Sequence, residues 1–119
     1  MELEDDSDTA YSIYSTWIDG VSRITRIRYS DLKKTPKWTS PDEPLPIDLH
    51  QAFRLATEAM KQQRGVHEGE YSWGRIVLDA IEPDMCFWCM TFLHFDDSYY
   101  HSMEIAVLMD GKVVLPEVE

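Results

Sequence analysis

Lysine and arginine are scarce in this chain: eleven stand against twenty-two aspartates and glutamates, a net charge of −11. A general nucleic-acid binder needs a basic surface to displace counterions from phosphates, so that class is excluded and cationic partners are favoured. Cysteine is scarcer still. Two residues are too few for a disulfide framework, which agrees with a reducing compartment. The five glycines are never clustered, so there is neither a P-loop nor a dinucleotide-binding fingerprint, and no Ser/His/Asp order suggests a nucleophilic triad. No apolar run approaches the ~20 residues of a membrane-spanning helix. The acidic start lacks the basic and apolar regions of a secretory leader. The chain therefore reads as cytoplasmic, although a mature secreted fragment behind an added initiator Met would look the same.

What is present is enough for one domain: 119 residues, 44% of them hydrophobic. Charge divides it into three parts. Residues 1–8 carry five acids and no base, the pattern of a disordered acidic tail. Residues 9–40 hold six bases against two acids, and residues 41–119 hold fifteen acids against five bases. This pattern fits either internal pairing or a two-signed binding surface.

Local signals predict an α+β fold, with residues 9–119 as the folded domain. A helix is expected from about Leu49 to Arg64, with a capping box from Asp48 and Gln51 and an apolar stripe of Leu49, Ala52, Phe53, Ala56 and Met60. Before it, four prolines in residues 35–46 mark an extended connector that Trp38 pins to the body. After it, four apolar runs (71–82, 85–95, 99–109 and 112–117) are separated by Pro83-Asp84, Asp96–Tyr99 and Asp110-Gly111. They read as a four-stranded antiparallel meander. The N-terminal third reads as a strand pair at 11–18 and 21–29, with a short helix and one strand as the alternative.

Ideal loops would place Ala80 opposite Phe87, Cys89 opposite Ala106 and Leu108 opposite Val113. Both faces of the meander then come out apolar, whereas a sheet with one wet face alternates. The face with Ala80, Cys89 and Ala106 is expected to receive the Ala-rich helix. The face with Trp73, Trp88, Met90, Phe92, Met103 and Ile105 is left as the candidate partner-binding surface, unless the N-terminal third covers it.

Chemistry-bearing groups are few. Cys86 and Cys89 form a C-x-x-C, but inside a strand the two point to opposite faces and read as buried small hydrophobes. His94 and His101 are expected across from each other, and with Asp96 or Asp97 they make a low-ranked metal candidate. His67-Glu68 lacks the second histidine of a zinc helix. Asp79 is expected to pair with Arg75 on the same strand, and a raised-pKa general base is the other reading of that carboxylate. No cofactor is implied.

The run Ile105–Pro116, with its Asp110-Gly111 turn, follows the capped helix and the Pro-rich connector. Together these resemble small bacterial helix-plus-meander proteins, PepSY-like and cystatin-like, over roughly residues 38–117. The resemblance implies a binding or inhibitory module without chemistry. The expected function is thus a non-enzymatic module that self-associates as a homodimer or docks a protein partner through an apolar sheet face, an acidic inhibitor or immunity-type protein being one instance. The alternatives are a small metal-dependent or acid–base enzyme using His94, His101 and Asp96, and a ligand pocket lined by Trp38, Tyr71 and Trp73.

Overall fold

A computed structural model describes residues 7–16, 22–63, 71–82, 84–95 and 100–118, the side chains of Thr16, Phe95, Tyr100 and His101 excepted. The N-terminal third, rich in Tyr, Ile and Thr, is a hairpin: β1 (Thr9–Thr16) pairs antiparallel with β2 (Ser22–Arg28). The expected Asp19-Gly20 turn lies outside the described residues. A one-turn helix, α1 (Tyr29–Leu32), follows directly. Asp8 is anchored there, its carbonyl accepting from Tyr29 N–H and its carboxylate accepting from both the N–H and the hydroxyl of Ser30.

The main helix, α2, spans Leu49–Lys61. Its capping box forms as the sequence predicts, Gln51 N–H donating to Asp48 Oδ1 at 2.9 Å and Asp48 N–H to Gln51 Oε1 at 3.1 Å. Four strands make the antiparallel meander: β3 (Ser72–Glu82), β4 (Met85–Phe95), β5 (Tyr100–Leu108) and β6 (Val113–Val114). A short β7 (Glu117–Val118) pairs with β2. Strand order is β3-β4-β5-β1-β2-β7, with β6 also on β5.

Of the three cross-strand pairs expected from ideal loops, only Cys89 opposite Ala106 is found. At the β3–β4 end Glu82 does pair with Met85 across a two-residue loop. A bulge at Ile81 then sets Ala80 opposite Cys86 rather than Phe87. At the other hairpin, Gly111 N–H donates to Leu108 C=O and Leu108 N–H to Lys112 C=O, which closes a three-residue loop with Gly111 at φ +90°. Val113 therefore faces Val107, not Leu108. Each one-residue change turns its strand over, because side chains alternate with a period of two.

The consequence is a sorted sheet. Ile76 and Leu78 join Trp88, Met90, Phe92, Met103, Ile105, Val107, Met109 and Val113 on one face, and α2 lies on that face through Ala52, Ala56 and Met60. This corrects the expectation that the helix covers the small-residue face. Small helix side chains fit against large sheet side chains, and close packing rewards that complementarity over small against small. Phe53 adds a stacked contact with Phe92, centroids 6.3 Å apart.

The connector reaches across the same face. Trp38, Leu45 and Ile47 pack on this core, and Trp88 Nε1–H donates to Ile47 C=O at 2.9 Å. The opposite face, with Phe87, Ala106 and Leu108, receives Ile27 of β2 and Leu32 of α1. Both apolar faces are thus covered from within the chain, the second by its N-terminal third.

Candidate functional site

Five of the six residues expected to form a partner-binding face lie in the core beneath α2. Trp88, Met90, Phe92, Met103 and Ile105 are all buried there, and only Trp73 stands out, 59% exposed. The face they occupy is lidded by the helix and the connector, so it does not present them to a partner. Trp38 and Tyr71 also pack into this core.

The histidine pair is in register as expected, His94 opposite His101. The His94 ring packs on Tyr71, with centroids 5.6 Å apart. Asp96, Asp97 and the side chain of His101 lie outside the description, as does the His67-Glu68 segment. Among the described residues no group of three metal-ligating side chains occurs. No described helix is long and apolar enough to cross a membrane.

The two cysteines are free and point to opposite sides of the sheet. Burial pushes the Cys89 thiol up to about 12, with Asp79 and Glu104 adding to the effect, so it stays protonated at neutral pH. Cys86 is raised too, by burial and then by Asp84.

The cover of the second face is interrupted by a cleft beside β1. Where β1 diverges from β5, pairing shrinks to one bridge, Thr16 with Ser102. Side-chain hydroxyls replace the missing strand contacts. Glu104 N–H donates to Ser15 Oγ at 3.0 Å, and Thr25 Oγ1–H donates to Glu104 C=O at 2.6 Å. Ser15 and Thr25 are themselves buried, so these bonds satisfy groups that would otherwise be costly.

Between β1 and the meander a cleft of about 130 Å³ remains, lined by Tyr11, Ile13, Arg75, Val77, Asp79, Cys89, Thr91 and Glu104. Ligand pockets begin near ~300 Å³, and this cleft lies well below that. Glu104 accepts from Thr91 Oγ1 at 2.7 Å. Burial raises its pKa, and the Thr91 bond and Arg75 offset part of that rise.

Arg75 and Asp79 are not paired with each other among the described residues, contrary to expectation. Four residues apart on an extended strand, they are about 13 Å apart along the chain. Asp79 instead accepts from the neighbouring Ala80 N–H at 2.8 Å.

These two charges lie on β3, a strand at one end of the sheet. β3 is eleven residues long and ends the strand order, with β4 as its one strand neighbour among the described residues. Residues 72–75 are exposed, residues 76–79 are half-buried, and Ala80 and Glu82 are exposed on either side of the half-buried Ile81. Bulges at Gly74 and Ile81 interrupt its pairing with β4 and leave a regular stretch, residues 75–80, between them. Its outer row of N–H and C=O groups is the feature that sequence reasoning missed. Periodicity marks strands and faces but does not reveal which strand ends a sheet.

No family model, curated protein or solved structure matches the chain. The functional reading therefore rests on this geometry alone.

Proposed function

We propose that the protein is a non-enzymatic interaction module that binds by strand addition at β3. The observation that carries this reading is the outer edge of an eleven-residue strand, which no other strand pairs among the described residues. An unpaired strand edge offers a row of hydrogen-bonding groups to another chain, and proteins that do not use such an edge shorten or cover it. With both sheet faces covered internally, the edge is where an incoming segment gains backbone hydrogen bonds. The half-buried Ile76 and Leu78 on one side, and Arg75, Val77 and Asp79 on the other, supply the side-chain contacts that select it. The Cys89 thiol is held in its protonated, unreactive form, which favours binding over chemistry.

The test is a titration of isotopically labelled protein with a synthetic peptide of residues Ser72–Glu82, followed by NMR. The expected result is chemical-shift change along β3, spreading to β4, with α2 unmoved. Shifts confined to α2 or to the β1–β2 hairpin, or none at all, would contradict it.

A further inference from the structure

We infer that the strand added at β3 is β3 of a second copy, paired antiparallel about a two-fold axis through Val77. This rests on the reading of β3 as the docking edge and names its occupant. The argument is one of register and charge. A two-fold axis perpendicular to a continuous sheet keeps each face on its own side, so opposed residues share a face and the axis passes through a residue paired with itself. The bulges at Gly74 and Ile81 confine regular pairing to residues 75–80.

Within that window, an axis at Val77 sets Arg75 opposite Asp79 of the second copy, and does so twice. On the other face it sets Ile76 opposite Leu78. An axis at Arg75 or at Asp79 opposes like charges, which is destabilising. An axis at Ile76 or at Leu78 sets one of the charges against Val77. One register alone satisfies both charges and aligns the apolar pair. Edge charges usually repel a second strand, but here their spacing makes the edge complementary to itself. It also explains why Arg75 and Asp79 share a face of the strand yet lie too far apart to pair within one molecule.

Sedimentation or light scattering across a concentration series, with charge swaps, tests the register. Wild type is expected to dimerise. Arg75→Asp alone and Asp79→Arg alone each oppose like charges and are expected to weaken the dimer about tenfold. Mixing these two variants restores association as a heterodimer, since each then meets its opposite. The double variant R75D/D79R, which keeps the composition, restores the homodimer and serves as the folding control, checked by circular dichroism.

A chain that stays monomeric at every concentration overturns the proposal, as does a dimer whose strength ignores the swaps or a folded double variant that fails to associate. If the chain is monomeric while the Ser72–Glu82 peptide still shifts β3, the second copy fails and the docking edge stands. If neither occurs, both fall.

Discussion

Glu104 carries its carboxylate into the cleft while its backbone is held by Ser15 and Thr25. Its pKa is raised by burial, so the folded state favours the protonated form. For a carboxyl raised on folding, the contribution to stability is full below the unfolded pKa and is lost as pH rises through the folded value. Glu104→Gln, which keeps an acceptor for Thr91, is therefore expected to raise the denaturation midpoint at neutral pH. That gain should vanish below pH 4.5, the ordinary value for the group. Equal effects at both pH values would contradict this account.

Two aromatic residues test the assignment of the faces. Phe92 is 1% exposed beneath α2 and Trp73 is 59% exposed at the start of β3. Phe92→Ala is expected to cost about 3–5 kcal/mol in denaturant unfolding. Trp73→Ala, measured on the dilute protein, should stay within about 0.5 kcal/mol. A reversal of that order would return the Trp- and Met-rich face to solvent.

At the scale of elements, the helix, the four-strand meander and the N-terminal hairpin were legible because capping residues, periodicity and turn chemistry act locally. The capping box of Asp48 and Gln51 and the register of Cys89 with Ala106 are such local readings. The face that α2 covers was not legible. It turns on single inserted residues, the bulge at Ile81 and the three-residue loop ending in Gly111, and each inverts a whole strand.

A bulge leaves no firm mark in composition, and an Asp-Gly pair fits a two- or a three-residue loop equally well. Gly111 is the residue that makes the longer loop affordable, at φ +90°. Gly111→Ala is expected to cost roughly 1–2 kcal/mol in stability by chemical denaturation. A neutral effect would mean that the turn has another geometry.

Of the expected partner-binding residues, only Trp73 reaches solvent, because which surface stays open depends on strand order and on the path of the N-terminal third. Neither is written in local periodicity. At the scale of the whole molecule, the two apolar faces are covered by the chain's own helix, connector and N-terminal third. Among the described residues the outer edge of β3 has no strand partner, and the proposed dimer sets its Arg75 and Asp79 against their counterparts on a second copy.

Residue-resolved amide hydrogen exchange at low and high protein concentration tests this most directly. Within residues 75–79, the amides that point away from β4 should gain protection as concentration rises, while amides already bonded to β4 and those of α2 stay unchanged. Protection that rises on the β1–β2 hairpin or on α2, with β3 exchanging at the same rate throughout, would contradict it.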